Sequence, residues 1–175
     1  MGAWKEMEKA VSLGKVRALG ISNFEDHKLD DIMEAATIKP AAHQVECHPF
    51  RQLRGLRARM EPYGTKLMCW YPFGGRGENG ANEVLANDVV AQVAAAHGCS
   101  PAQAVLAFEM QDGLIPIPGS FNAKHIAQNL AAAEIELTKA EMGAMRGLNK
   151  GRRFFVAFED FTYEQAEAMV LGVGR

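Results

Sequence analysis

The sequence predicts an α/β fold in which short parallel strands alternate with helices. Four short apolar segments have the character of strands: residues 16–22, 42–48, 66–72 and 114–118. The longer segments between them repeat apolar residues at every third or fourth position, which is the helical period. Strands that alternate with helices pair in parallel through right-handed crossovers. Two architectures satisfy this pattern, a small doubly wound sheet and part of a (β/α)8 (TIM) barrel.

The first helical pattern suggests that the chain starts inside a repeat. It runs from Trp4 to about Leu13 and precedes the first predicted strand, whereas each helix of a β/α repeat follows a strand. A complete barrel needs about 250 residues, and this chain has 175. We therefore predict a half-barrel of about four β/α units over residues 1–151. Residues 152–175 are predicted to form a tail that packs on the barrel, with a short helix over 163–171.

Composition indicates an ordinary globular protein. Hydrophobic residues make up 48% and charged residues 23%, and the net charge of −2 gives no reason to expect nucleic acid or an anionic membrane as a partner. No apolar stretch reaches the roughly 18 residues of a membrane span, and the first residues lack a signal pattern. The three cysteines, Cys47, Cys69 and Cys99, lack paired spacing. We interpret them as reduced and expect a cytoplasmic protein.

Two helix starts are marked by capping residues. Ser100 precedes Pro101, the arrangement of an N-cap followed by a proline at the first helical position. Thr138 precedes Glu141 by three residues, which is the spacing of a capping box. Helices are therefore predicted to begin at these two points.

The first two predicted strands end in polar residues. Ser22 and Asn23 lie where the active sites of barrels are built, and could bind a neutral amide; they could equally cap the following helix. On the second strand, alternation places Gln44 with Glu46 and His48 on one face. Buried polar groups need partners or a ligand. A metal site or a Cys–His dyad is disfavoured, because the same alternation separates the histidines and cysteine of this strand.

The third and fourth strands end in features suited to a nucleotide. Trp70 could stack on a flat ring, and the following Gly74 could let backbone N–H groups approach a phosphate. The alternative is a packed aromatic followed by a turn. After the fourth strand, Gly119 and Ser120 precede a helix whose N-terminus could face an anion, beside the charge of Lys124. The alternative there is an ordinary capped helix.

Together these segments resemble the aldo-keto reductases. The resemblance rests on GISNF, QVECHP, WYPFGG, CSPAQAVLAF and IPGSFNAKHIAQN, in this order, and extends from Trp4 to Asn149. It implies that the chain corresponds to the C-terminal half of the family's barrel. The cofactor it implies is a nicotinamide dinucleotide, NADP or NAD.

The resemblance also implies a role for individual residues. The nicotinamide carboxamide would be bound by Ser22, Asn23 and Gln44. The nicotinamide ring and the pyrophosphate would be bound by Trp70, Pro72, Phe73 and Gly74. The adenosine end would be bound by Ser120, His125, Gln128 and Asn129. Trp70 stands where the family usually has tyrosine. Gly119 and His125 stand where many members have lysine and arginine, so the preference for NADPH over NADH is open.

The segments that carry the resemblance do not include the first half of the barrel. In the family, that half carries the catalytic Asp, Tyr, Lys and His. We therefore assign no catalytic residue and expect a truncated reductase with little activity alone. The parent activity is NAD(P)H-dependent reduction of aldehydes or ketones. The alternative is a non-catalytic half-barrel that binds a dinucleotide or serves in an assembly.

Half a barrel leaves two unpaired strand edges, at residues 16–22 and 114–118. Such edges invite pairing with another chain. We expect self-association, with two halves pairing into a barrel-like dimer. The alternative is a compact half-barrel whose open face is covered by the aromatic tail after Arg152.

Overall fold

The computed structural model describes residues 2–24, 26–77 and 80–155, and it contains four parallel strands in the order β1-β2-β3-β4. The strands are β1 (Gly20–Ser22), β2 (Ala42–Glu46), β3 (Lys66–Trp70) and β4 (Ile115–Pro116). The helices are α1 (Gly2–Ser12), α2 (Asp26–Ala35), α3 (Arg54–Met60), α4 (Asp88–Ala96), α5 (Pro101–Gln111), α6 (Ala123–Ala131) and α7 (Lys139–Gly147). Short 3-10 turns cover Glu61–Tyr63 and Ala132–Glu134. The predicted alternation of strands and helices is confirmed.

Each strand is shorter than the sequence predicts, and proline explains much of the difference. Gly20 pairs with Ala42, so residues before Gly20 would have to pair with the segment that contains Pro40. Proline has no N–H to donate to a sheet. Pro116 limits β4 in the same way, since it is one of the two residues of that strand.

The two faces of the sheet differ in cover. His43 and Val45 of β2, like Leu67 and Cys69 of β3, are buried against the helices. The residues between them on the same strands point to the other face, which is only partly covered: Ala42, Gln44, Met68 and Trp70 are half-buried and Lys66 is exposed. In a closed barrel this second face would be the interior.

Two hydrophobic cores support the sheet and the helices. The first lies between the sheet and helices α1 to α3, and includes Trp4, Leu29 and Leu67. The second joins α4, α5 and α7 around Phe50 and Phe108. Both predicted caps are confirmed, because Ser100 and Thr138 each form a capping box, with Gln103 and Glu141.

The end of the described chain lies against the carboxyl ends of the strands. The Lys150 and Arg152 N–H groups donate to the Phe50 carbonyl at 3.0 and 3.1 Å. The predicted helix over 163–171 falls outside the described residues. In the part of the chain that the structure describes, no helix is long and apolar enough to cross a membrane.

Candidate functional site

The carboxyl ends of β1 and β2 bring Ser22, Asn23 and Gln44 together. Ser22 is in register with Gln44, and the Asn23 N–H donates to the Gln44 carbonyl at 3.0 Å. Asn23 has a left-handed backbone with φ of 55°, a conformation that asparagine tolerates better than most residues. The Ser22 and Asn23 side chains are exposed and Gln44 is half-buried. The three residues predicted to bind a carboxamide are therefore neighbours.

Trp70 extends this group to the end of β3. Its indole Nε1 donates to Asn23 Oδ1 at 3.2 Å. The Phe155 ring meets the indole edge-on, with ring centroids 5.0 Å apart and planes at 82°. Both contacts fix the orientation of this half-buried aromatic ring at the end of β3.

Glu46 ties the end of β2 to the end of the described chain. Its Oε1 accepts a hydrogen bond from the Phe154 N–H at 2.6 Å, and the Phe155 N–H donates to Oε2 at 3.3 Å. His48 Nε2 also donates to Oε1 at 3.2 Å, as a carboxylate can only accept. The sequence analysis placed Glu46 and His48 on one face but did not find the partner segment, which lies 108 residues away.

These hydrogen bonds decide the ionisation of Glu46. Burial alone would raise the pKa of this carboxyl, but the bonds from His48, Phe154 and Phe155 outweigh it and hold the pKa below its usual value. Glu46 is therefore an anion inside a largely apolar setting, and its charge is satisfied by three donors.

The glycines after β3 pack against Phe154. A Cβ on Gly74 would lie 2.7 Å from Val84 Cγ2 and 2.9 Å from the Phe154 ring, and one on Gly75 would also lie 2.9 Å from that ring. The Gly74 N–H already donates to the Tyr71 carbonyl at 2.8 Å. The need for glycine is thus explained by close packing against Phe154 and Val84, together with a φ of 59° at Gly74. Pro72 and Gly74 are buried.

A second part of the site is a cleft of about 440 Å³ between the β3 loop and α6. Five of its lining residues are among those predicted to line the pyrophosphate or hold the adenosine end: Phe73, Ser120, His125, Gln128 and Asn129. The sequence analysis did not assign the opposite wall, which consists of Leu85 and the start of α5 at Ser100, Pro101 and Ala102. The cap at Ser100 was found, but its position beside α6 depends on tertiary packing.

The N-terminus of α6 is closed by its own cap. Asn122 Oδ1 accepts from the N–H groups of Lys124 at 2.9 Å and His125 at 3.4 Å, and the Asn122 N–H donates to Ser120 Oγ at 3.1 Å. These donors are the ones that would otherwise face an anion. The local geometry is that of an ordinary capped helix, so recognition of a phosphate here depends on the exposed side chains of Lys124 and His125.

The remaining polar residues of β2 have structural partners. His43 Nε2 accepts from the Phe24 N–H at 3.1 Å, while its Nδ1 lies 3.3 Å from Met60 Sδ. Cys47 and Cys69 are both fully buried, and a hydrogen bond between the thiols together with burial raises the pKa of Cys69. Cys47 and Cys69 belong to the first hydrophobic core and His43 contacts that core through Met60, whereas His48 contacts Glu46 and Phe154.

The family model of the Aldo/keto reductase family matches residues 2–150. The chain belongs to this family. It is 37% identical over 150 residues to a 9,11-endoperoxide prostaglandin H2 reductase of Trypanosoma cruzi, and 35% identical over 150 residues to a glyoxal reductase of Bacillus subtilis. Each match covers 86% of this chain and 52% of the relative, so the chain spans about half the length of these curated aldo/keto reductase relatives.

Solved aldo-keto reductase structures have the same fold as this chain. A Gox0644 variant in complex with NADPH superposes with a TM-score of 0.81 at 32% identity, over 91% of this chain and 57% of its own. A Bombyx mori aldo-keto reductase in complex with NADP gives a TM-score of 0.79 at 28% identity, over 93% and 55%. The predicted family and half-barrel fold are confirmed, and the predicted cofactor is of the class that these aldo-keto reductases hold.

Proposed function

We propose that this aldo/keto reductase chain binds a nicotinamide dinucleotide across the mouth of its sheet and the adjoining cleft. The observation that carries the proposal is the arrangement of two neighbouring sites on one protein edge. One offers an indole that Asn23 orients, at the strand ends that also carry Ser22 and Gln44. The other is a cleft of about 440 Å³ next to the exposed side chains of Lys124 and His125. A long ligand with a flat amide-bearing ring at one end and phosphates at the other fits both.

Each part of the chain would contribute a separate interaction. The Ser22 hydroxyl and the Gln44 amide would bind the carboxamide, and Trp70 would stack on the ring. Gln128 and Asn129 would hold the adenosine end inside the cleft. Lys124 and His125 would face the phosphate nearest to the adenosine. The cofactor, when bound, supplies a hydride for reduction of an aldehyde or ketone.

The two tyrosines in the described part of the chain do not complete this reaction. Tyr63 lies on the 3-10 turn that precedes β3, at the opposite end of that strand from Trp70. Tyr71 is exposed with a left-handed φ of 60° and contacts the Trp70 ring. Carbonyl reduction needs a positioned proton donor as well as a hydride. We therefore propose little reductase activity for this chain alone, and activity only with a segment that supplies the proton donor.

Calorimetric titration with NADPH and, separately, NADH tests the proposal. Binding at micromolar strength is expected, and Trp70→Ala should weaken it by about 0.5–1.5 kcal/mol because an aromatic stacking surface is lost. Trp70→Tyr should retain most of the affinity. Tyr63→Ala is the matched control and should bind like the unchanged chain, because Tyr63 lies at the far end of β3. Absence of binding in a folded protein would overturn the proposal.

A second candidate is an aldo/keto reductase half-barrel that binds the dinucleotide without chemistry. The position of Tyr63 favours it, because this tyrosine lies at the end of β3 remote from Trp70. One experiment distinguishes the two candidate functions. The cofactor-bound chain is mixed with a polypeptide that carries the family's Asp, Tyr, Lys and His segments. Recovery of NADPH oxidation with an aldehyde would support the reductase, whereas unchanged cofactor binding without turnover would support the non-catalytic protein.

A further inference from the structure

Large exposed apolar side chains are concentrated beside the two edge strands. In the described part of the chain, seven of the nine such side chains lie there. The first group precedes β1 and consists of Met7, Leu13 and Val16. The second group lies on β4 and on the segment that follows it, and consists of Ile115, Phe121, Ile126 and Leu130. We call these groups the β1 flank and the β4 flank. A surface of this kind, localised rather than scattered, indicates an interaction site.

Helix α6 gives the β4 flank its shape. The helix is amphipathic, yet none of its residues is buried. Its half-buried Gln128 and Asn129 line the cleft, whereas Ile126 and Leu130, one helical turn apart, are 53% and 79% exposed. An apolar stripe that faces water on an amphipathic helix is a stripe without its packing partner.

The backbone is unpartnered at the same two places. Among the described strands, β1 pairs only with β2 and β4 pairs only with β3. All four strands are parallel, so a strand that continues the parallel sheet beside β4 runs in the same direction as β1. The β1 strand of a second copy satisfies this requirement, and the copy brings its β1 flank against the β4 flank.

We propose that two copies of this chain join edge to edge, with β4 of each copy beside β1 of the other, and close an eight-stranded parallel barrel about a twofold axis. The curvature supports this closure, because the chain superposes with a TM-score of 0.81 on 57% of a relative whose family forms eight-stranded barrels. Two copies therefore supply the eight strands of a ring. Each copy presents one unpaired β1 edge and one unpaired β4 edge, so two copies pair all four edges, which favours a second copy over an unrelated partner.

The closure changes the surroundings of the cofactor-binding residues. The half-covered face that carries Gln44 and Met68 becomes the interior of the dimer. Each contact between the flanks occurs twice, as twofold symmetry requires. The proposal concerns assembly and does not rest on the proposed cofactor binding, since its readout is the mass of the particle in solution.

Light scattering on the unchanged chain and on two single variants provides the first test. The unchanged chain should have twice the mass of one copy at tens of micromolar. Leu130→Glu on the β4 flank and Met7→Lys on the β1 flank should each raise the dimer dissociation constant at least about tenfold, because each buries a charge in an apolar contact. Tyr63→Glu is the matched control, since Tyr63 is similarly exposed but lies on neither flank. Circular dichroism checks that each variant remains folded.

Mixing the two charged variants tests the arrangement itself. Leu130→Glu retains an intact β1 flank and Met7→Lys an intact β4 flank, so a mixed pair has one unchanged contact and one contact between opposite charges. The mixture should regain the mass of a dimer while each variant alone does not. A monomeric unchanged chain at tens of micromolar, or a mixture that stays monomeric, would overturn the proposal. The unchanged chain would be monomeric if residues 156–175 covered the open face of the half-barrel.

Discussion

Glu109 carries the most isolated carboxyl group in the described part of the protein. It lies on α5 and is fully buried, and neither carboxyl oxygen has a hydrogen-bond partner there. Burial, and to a smaller extent the neighbouring Cys47, raises the pKa of Glu109 well above 4.5. The folded protein therefore holds this residue as a neutral acid over a pH range in which the unfolded chain ionises it.

This difference predicts that Glu109 makes the protein less stable as pH rises. Above the unfolded pKa of 4.5 the unfolded chain releases the proton and the folded chain does not, so unfolding becomes steadily more favourable up to the folded pKa. Glu109→Gln should remove this slope and raise the free energy of unfolding near pH 8 by about 1–3 kcal/mol. Urea denaturation at pH 5 and pH 8 measures it. Glu134→Gln, at an exposed position, should change neither value.

At the proposed adenosine end, we expect His125 to influence the preference between NADPH and NADH. The side chain is exposed beside the cleft, and the helix N–H groups next to it are already bonded to Asn122. A guanidinium can bind a phosphate through two parallel hydrogen bonds that imidazole cannot make. His125→Arg should therefore strengthen NADPH binding by about 1–2 kcal/mol, which is roughly a five- to thirtyfold change in the dissociation constant.

Titrations with both cofactors measure the effect of this substitution. NADH should bind the His125→Arg variant and the unchanged chain equally, because NADH lacks the extra phosphate. Equal gains for NADPH and NADH would show that the new side chain acts elsewhere on the dinucleotide. His125→Gln, which adds no positive charge, serves as the matched control.

Sequence reasoning located the site residues better than it explained them. Ser22, Asn23, Gln44 and Trp70 meet because consecutive parallel strands end at the same edge, and that follows from the alternation of strands and helices. The role of Gly74 did not follow from its neighbours in sequence. Its contact is with Phe154, and a contact over 80 residues leaves no local pattern.

At the scale of elements, α5 depends on its cap. Ser100 Oγ accepts from the Gln103 N–H at 3.3 Å, and Gln103 Oε1 accepts from the Ser100 N–H at 3.2 Å. Ser100→Ala should reduce the free energy of unfolding by about 1 kcal/mol. Ser12→Ala is the control: its hydroxyl donates to the Glu8 carbonyl inside an exposed helix end and caps nothing, so stability should be unchanged. Chemical denaturation of the two variants distinguishes the cases.

The elements themselves were largely predictable, and their lengths were not. Capping chemistry is local, and so Ser100 and Thr138 identified their helices correctly. Strand length depends on which residues lie opposite, and sequence alone does not give that register. Residues 16–18 look like strand, yet the register places them opposite the segment around Pro40, where pairing stops.

At the scale of the whole molecule, Glu46 joins β2 to the chain 108 residues later. Its pKa is lowered, so its contribution to stability is present above the unfolded pKa of 4.5 and is lost as pH falls through the folded value. Glu46→Gln should reduce the free energy of unfolding at pH 7 by about 1–3 kcal/mol, because charge-assisted hydrogen bonds become neutral ones.

The pH dependence of this loss is the diagnostic measurement. The difference in the free energy of unfolding between the Glu46→Gln variant and the unchanged chain should become smaller as denaturation is measured at progressively more acidic pH. Asp30→Asn breaks an exposed ion pair with Arg59. It should change the free energy of unfolding little at both neutral and acidic pH. A gap that is constant with pH would mean that shape, rather than charge, accounts for the contribution of Glu46.

The ring of Phe154 also decides where this protein can be cut for expression. A clone that stops at residue 150, the last residue of the family match, would remove the ring that fills the space above Gly74 and Gly75. It would also remove the two N–H groups that Glu46 binds. The shortened polypeptide would leave the Glu46 carboxylate with His48 as the remaining one of its three donors, beside a hole, which favours inclusion bodies over soluble yield. Recombinant boundaries drawn from family alignments should therefore be extended past Phe155.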